Sequence, residues 1–455
     1  MIFLLAVLSA LATDVYTPAP QFEGGSSGEV LSSDPWWSEL NEPLLDSLVV
    51  EGLKANLDLG IANTRLRQAE AGAAQTIAGV FPYVSFDMQG STSPYEDSSY
   101  GSMIPATEAD PDYYTVASAM FTASMGLDVW GAQTLAWRSM RYQAQATSGD
   151  NDALRLSVSA YVIGAALDTI QYRQREQILS RQLGTSESLL ELTELRYERG
   201  DVTALDVLQQ RQALAATKAQ LPSAKAAVRA SEHRLLLLIG RTSADPVPEL
   251  PDTLPDLPVD PSTGTPEDLL VNRPDLRAAL ARVDASRTSK QSTVASALPS
   301  VGLQASTGWT ALKLGDDTTS DETWSVAGSV SVPIFNGGRA VSAVKSARAA
   351  EDGSVLSLNK AYIGAVQEVE IALVNEQAQV DQLEAYGLQL EAASLTFTES
   401  RLRYIAGETS FLNVLNSHNG EQQAALSYLS AQRNLLGARL NLHQALGSST
   451  WESTK

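Results

Sequence analysis

The sequence contains no cysteine. That excludes disulfides, thiolate metal sites, a cysteine nucleophile and a lipid carried on an N-terminal cysteine. Histidine is nearly absent too, with 3 among 455 residues. His233, His418 and His443 stand apart, each reading as a solvent-facing helix residue, so no histidine metal cluster is expected. Basic residues are outnumbered, 32 against 53 acidic ones, for a net charge of -21. That balance argues against a nucleic-acid partner. Beyond the first residues no run is expected to reach the ~18 apolar residues of a membrane-spanning helix. Any crossing of a bilayer then falls to a β-barrel. Carboxylate pairs, Ser/His/Asp sets and phosphate loops are missing as well. Gly337-Gly338 lacks the rest of a Gly-x-Gly-x-x-Gly pattern. No catalytic residue, cofactor or metal is expected, and the chain does not read as an enzyme.

What is present begins with MIFLLAVLSALATDV, an apolar run that closes on Ala10-Leu11-Ala12. It reads as an export signal over 1–12, shortened at its start because the basic n-region is missing. An extended segment, 13–43, follows.

The rest is written twice. LRYERGDVTALDVL starts at Leu195 and LRYIAGETSFLNVL at Leu402, and the register holds to Gly240 and Gly447. Upstream, Asp58-Leu59, Arg65 and Pro82 correspond to Asp275-Leu276, Arg282 and Pro299, and LDVWG at Leu127 to VPIFNGG at Val332. Such internal repetition outranks any local signal. The first half, 44–240, reads as a helix, strands near 83–91 and 113–129, a long helix over 132–199 and a return helix over 202–239. The second, 266–448, repeats this with strands near 300–311 and 323–334 and helices over 339–406 and 409–446. A Pro- and Asp-rich connector, 241–265, joins them, and a tail, 449–455, follows.

In TWSVAGSVSVPIF, Trp324, Val326, Gly328, Val330 and Val332 fall on one face and Ser325, Ala327, Ser329 and Ser331 on the other. That is the period of a strand with one apolar face. Phe121, Ala123, Met125, Leu127 and Val129 form the sister stripe. Strands of nine to twelve residues cross a tilted bilayer, and aromatic residues gather near both ends: Tyr113, Tyr114, Trp309 and Trp324, then Trp130, Trp137 and Phe335. Soluble hairpins with one buried face fit the alternation equally well. The count favours the membrane only through company. Four strands cannot close, and an open edge in lipid is costly, so several chains would share one barrel.

Both long helical runs lack proline, and the second carries a seam at alternating spacings of three and four: Val355, Leu358, Tyr362, Ala365, Val369, Ala372, Glu376, Gln379, Leu383, Gly387, Leu390, Ser394, Phe397, Arg401 and Tyr404. Its small and polar members suit helices laid side by side in a curved wall. At ~1.5 Å per residue each helix would run on the order of 100 Å. Gly200 and Gly407 read as helix C-caps. Asp201 or Thr203, and Glu408, Thr409 or Ser410, read as caps of the return helices.

The order of elements, the two Tyr-x-x-Gly tips, VPIFNGGR and NRPDLRAA together resemble the TolC family over residues 35–448. NRPDLRAA resembles the NodT-like branch that serves resistance-nodulation-division efflux pumps. The resemblance implies an α+β membrane protein: a homotrimeric, 12-stranded outer-membrane β-barrel with four strands per chain, seated in outer-membrane lipid and continued by a long periplasmic α-helical barrel. It implies a passive exit duct that docks with a periplasmic adaptor protein and an inner-membrane transporter. By position, Arg196, Tyr197, Gly200, Arg403, Tyr404 and Gly407 would form the periplasmic tip and adaptor contact, and Asp206, Asn413 and Asn416 the pore constriction. The sequence departs from the family where many members place aspartates after the second tip. Here Asn413 and Asn416 stand, without fixed charge. It also lacks the lipid-bearing cysteine of many pump-serving members, which leaves anchorage to the barrel. The other readings are a type I protein secretion channel and, in a different class, a soluble coiled-coil scaffold or adaptor.

Overall fold

The computed structural model describes residues 21–22, 35–94, 113–257, 263–314 and 316–447. The expected signal over 1–12, the acidic loop of the first hairpin and the tail at 449–455 lie outside them. The helices are α1 (Pro43–Ala55), α2 (Leu57–Ala78), α3 (Ala132–Glu198), α4 (Ala204–Leu238), α5 (Pro274–Ala295), α6 (Arg339–Ala406) and α7 (Phe411–Leu446). The strands are β1 (Tyr83–Pro94), β2 (Tyr113–Leu127), β3 (Ser300–Leu314) and β4 (Asp317–Ser331). Two compact units result, and they cut across the two sequence halves. One gathers 65–148 and 278–358, the other the remainder. The reason lies in the pairing, because each half supplies one hairpin to a common sheet.

That sheet defines the first unit. Its order is β1-β2-β3-β4, all antiparallel. Val84, Ala123, Ala305 and Val326 stand in one cross-strand row, and Phe86, Phe121, Thr307 and Trp324 in the next on that face. Directly opposed residues share a face, so the register gathers the apolar stripes of all four strands on one side. The Phe86 and Phe121 rings meet at 4.7 Å. On the other side Ser85, Thr122, Ser306 and Ser325 form a row, with the last two hydroxyls 2.9 Å apart. Gly308 is required where β2 and β3 approach, since a Cβ there would lie 2.2 Å from the Ala119 carbonyl oxygen. Among the described residues β1 and β4 each pair on one edge only.

At the hairpin end of β3 and β4 the strands outrun the sequence pattern, while at the other end β2 and β4 stop at Leu127 and Ser331, short of the expected 129 and 334. LKLGDDTTSDE was expected as a loop, yet β3 continues to Leu314 and β4 starts at Asp317, with Thr318 opposite Lys313. On β4 both faces turn polar there, so the period-two signal vanishes while the backbone ladder continues. Trp309 and Trp324 therefore sit inside strands rather than at their ends.

The second unit is helical. Along α6, Tyr362, Ala365, Val369, Ala372 and Glu376 are buried as the seam requires, as are Phe397 and Tyr404. Arg401 departs from the seam and is exposed. One 18-residue window of α3 is apolar enough to cross a bilayer by composition, contrary to expectation. Most of it is buried, and Val158, Val162, Ile163, Leu167 and Ile170 anchor the main core with Leu235 and Leu236 of α4.

Both halves close in the same manner. Asn56 donates from Nδ2 to the Leu238 carbonyl at the end of α4 (2.9 Å) and accepts from Asp58 and Leu59 at the start of α2. Arg273, the arginine of NRPDLRAA, donates to the Ala445 carbonyl at the end of α7 (2.9 Å) and grips Asp275 of α5 and Glu368 of α6. Asn56 thus satisfies free groups at both helix termini, whereas Arg273 satisfies the terminal carbonyl of α7 and holds the start of α5 through the Asp275 carboxylate. Gly240 follows α4 at φ 74°, and a Cβ there would meet the Ala55 carbonyl oxygen at 2.5 Å.

His418 and His443 are buried, whereas His233 is exposed as expected. Trp36, from the short helical turn Trp36–Leu40, stacks on His443 at 5.3 Å, and the Glu39 carboxylate lies 3.4 Å from its Nε2. Beside them the fully buried Arg439 pairs with Glu376 of the α6 seam. The cover arrives from the far end of the chain, which local periodicity cannot register. Burial, reinforced by the Arg439 charge, pushes the His443 pKa down to about 4. A depressed imidazole pKa means the unfolded chain binds the proton more tightly. Stability is then full above the ordinary value of 6.5 and falls as pH drops from 6.5 toward about 4. Glu39, whose carboxyl is raised by burial, acts in the opposite sense. His443→Phe, which keeps the stack on Trp36, is expected to flatten the acid loss of melting temperature across that window. A slope equal to the wild type's would exclude His443 as its source.

Candidate functional site

The repeated phrase builds two helix tips in the helical unit. α3 ends at Arg196-Tyr197-Glu198-Arg199-Gly200. The Gly200 N–H donates to the Tyr197 carbonyl and the Asp201 N–H to the Arg196 carbonyl, both at 2.9 Å. At the end of α6 the Gly407 N–H donates to Tyr404 (3.0 Å) and Glu408 to Arg403 (2.9 Å). Each is the paired six-to-one and five-to-two closure that needs a left-handed residue past the helix. Gly200 and Gly407 supply it at φ 80° and 79°.

The return helices are capped differently. Thr203 opens α4, and the Asp206 carboxylate accepts from its N–H (2.8 Å) and its hydroxyl (2.7 Å), while Asp206 N–H points back to the Thr203 oxygen. This is a capping box closed by aspartate. Ser410 opens α7 without a side-chain bond. Asn413 instead donates to the Thr409 hydroxyl (2.8 Å). Asn416 is exposed one turn on. Among the described residues no hydrogen bond joins Asp206 to Asn413 or Asn416, so the three expected constriction residues do not form one cluster within a chain.

The six expected tip residues are not equivalent. Tyr404 is 1% exposed and Tyr197 49%. Tyr404 packs edge-on to Phe411 at 5.9 Å, in a cluster with Leu189, Phe397 and Val414. The residue matching Phe411 in the first tip is Ala204, which offers Tyr197 no ring. The arginines divide in the same way. Arg196 lies 4.4 Å over the Tyr404 ring and donates to the Tyr404 carbonyl at 2.5 Å. It thus combines a cation–π contact with a cation at a helix C-terminus. Arg403 stays on its own helix, paired with Glu399 at 2.7 Å in water. Where α6 has Glu399, α3 has Leu192, so Arg196 is unclaimed locally and reaches across. The structure therefore brings Arg196, Tyr404 and Gly407 together and leaves Tyr197 and Arg403 on the surface.

Sequence reasoning missed the support beneath. His418 on α7 bonds Ser186 on α3 (3.2 Å) and lies 5.0 Å from the Phe397 ring on α6. Gln210 on α4 donates to the Ser186 carbonyl (2.8 Å). Four helices thus meet at one buried polar knot, and burial holds the His418 pKa below its ordinary value. Arg211 to Glu194 (2.8 Å) braces α4 on α3 outside it. The differences Leu192/Glu399 and Ala204/Phe411 were the available signal. No group of metal-ligating side chains occurs among the described residues.

The model of the outer membrane efflux protein family matches residues 48–241 and 265–448. The chain is 29% identical to the pyoverdine export outer membrane protein OpmQ of Pseudomonas aeruginosa, over 96% of this chain and 94% of that one. It is 28% identical to nodulation protein T of Rhizobium leguminosarum bv. trifolii, over 95% and 91%. Its fold superposes on the outer-membrane channel OprN with a TM-score of 0.82 at 25% identity, covering 97% of this chain and 99% of that one. With two matched segments that span both sequence halves, a four-stranded sheet bearing one apolar face and a helical unit ending in paired tips, the chain belongs to the outer membrane efflux protein family and works in efflux at the outer membrane.

Proposed function

We propose that three copies close into one 12-stranded barrel in the outer membrane, continued by a periplasmic tunnel of helices, with each copy supplying two structural repeats. The assembly passively conducts small molecules handed over by a periplasmic adaptor and an inner-membrane transporter of the resistance-nodulation-division type. The observation that carries this is the sheet: an apolar face with two unpaired edges. In lipid each unpaired backbone group costs several kcal/mol, and closure is the remedy. A second apolar stripe on α6 supports company for the helices. Ile371, Val374, Leu388, Leu395 and Leu402 recur on its exposed side, away from the chain's own seam. The small-molecule reading draws on OpmQ, whose name records pyoverdine export.

In this reading the tip surface left open by the chain, with Tyr197, Arg403 and their neighbours Leu195 and Leu205, meets the adaptor. Arg196, Tyr404 and Gly407 hold the second tip shut, with Gly200 shaping the first. Asp206, Asn413 and Asn416 line the constriction. The polar face of the sheet lines the barrel. On its strands Asp87, Asp317 and Asp321 carry charge and no lysine or arginine does, because Lys313 stands on the opposite face.

Native mass spectrometry in detergent tests the assembly; a monomer in every detergent would end the proposal. Arg196→Ala removes a charged bond of about 1 kcal/mol at a half-exposed site, so open time in planar bilayers should rise roughly fivefold; unchanged gating would clear Arg196 of that role. Asp87→Asn with Asp321→Asn should lower the potassium-over-chloride permeability ratio; an unaltered reversal potential would place that face outside the pore. Divalent cations should block this channel less than a relative with an aspartate ring after its second tip; equal block would mean Asn413 and Asn416 do not set the constriction's charge.

A further inference from the structure

Within one chain the two hairpins meet at the β2–β3 boundary, and a half-exposed tryptophan bridges them there. Trp130, just past β2, donates Nε1–H to the carbonyl of Pro299, which immediately precedes β3, at 2.7 Å. The closing boundary, from β4 to the β1 of another copy, has the same parts by sequence position. Ile334-Phe335 follow β4 as Val129-Trp130 follow β2. Phe81-Pro82 precede β1 as Leu298-Pro299 precede β3. In a single chain these parts have no counterpart to meet. Ile334 and Phe335 are 96% and 90% exposed, the most exposed large apolar side chains among the described residues, and Phe81 is 65% exposed.

We propose that Phe335 of one copy covers Phe81 and Pro82 of the next, so that every hairpin junction around the rim carries one aromatic seal. This rests on the barrel proposed above and adds the surface by which one copy recognises another. The chemistry shifts in a consistent way. Phenylalanine has no N–H to donate, so the carbonyl bond made by Trp130 is not available. In exchange the receiving residue grows from Leu298 to Phe81, and ring-on-ring contact replaces the bond. Gly337 and Gly338, at φ 65° and 82°, then turn the chain from the seal into α6. Lipid could also cover an exposed phenyl ring. A second copy is favoured because the matching tryptophan is engaged by protein at the equivalent boundary.

The absence of native cysteine makes the test direct. A Phe81→Cys/Phe335→Cys variant in phospholipid vesicles, treated with a short bis-maleimide, should give covalent dimers and trimers on denaturing gels. Either single variant should give none. A polarity-sensitive dye on the Phe335→Cys variant should emit as in an apolar site yet resist quenching by brominated phospholipid, whereas the same dye on Val326→Cys, on the apolar face of the sheet, should be quenched. Strong lipid quenching at position 335, or no covalent oligomer from the double variant while Val326→Cys is quenched, overturns the seal and leaves the barrel standing. A dye on Val326→Cys that no lipid reaches, in protein that runs as a monomer, removes the barrel and the seal with it.

Discussion

A strand edge has no partner in hydrocarbon, and among the described residues one apolar sheet has two such edges. In the proposed barrel the hydrophobic effect places the exposed face formed by Val84, Phe86, Val326 and Val330 in lipid. The backbone then forbids that face from standing alone, because N–H and C=O groups along β1 and β4 find neither water nor protein there. Under the proposed assembly every other feature follows from that conflict. Copies must complete one another, the inner face must be wetted and polar, and the helices that continue the strands must be ringed as the strands are. A seam of Ala, Ser, Gln and Glu serves such a wall better than leucine would, since each helix needs two neighbours rather than one.

The tips use one local solution for two purposes. Arg-Tyr-x-x-Gly ends a helix in both places by the same pair of backbone bonds. What differs is who claims the side chains. Glu399 holds Arg403 on its own helix, and Leu192 leaves Arg196 unclaimed; Phe411 covers Tyr404, and Ala204 leaves Tyr197 bare. Two differences beside a shared motif thus divide it into a buried half and an exposed half. The buried His418–Ser186–Gln210 knot below joins three helices by hydrogen bonds and meets the fourth through the Phe397 ring.

Elements were read from the sequence where a physical period ran unbroken. α6 carries its seam, and α3 and α6 both carry their terminal glycines, in local order. β3 and β4 were read only where one face is apolar, since period two is a signal of contrast and Asp317 to Glu322 offers none. His443 was read as exposed because its cover, Trp36, is distant in sequence. Arg401 was assigned to the seam by spacing, although the buried stripe of α6 leaves it in water beside the tip.

By itself the sequence determined which segments are helix and strand, which strand faces are apolar, where the chain must turn and that it is written twice. Those properties follow from 3.6- and 2-residue periods and from backbone sterics at glycine, all of which act over a few residues. Only the tertiary structure decided that the two halves share one sheet, that Asn56 and Arg273 each tie the start of one helix to the end of another, and that Arg196 crosses to Tyr404 while Arg403 does not. These depend on which distant side chains compete for one carbonyl, one ring or one charge. Such competition is settled by geometry after the elements have packed, and a local difference such as Leu192 against Glu399 shows which arginine is unclaimed but not what it reaches.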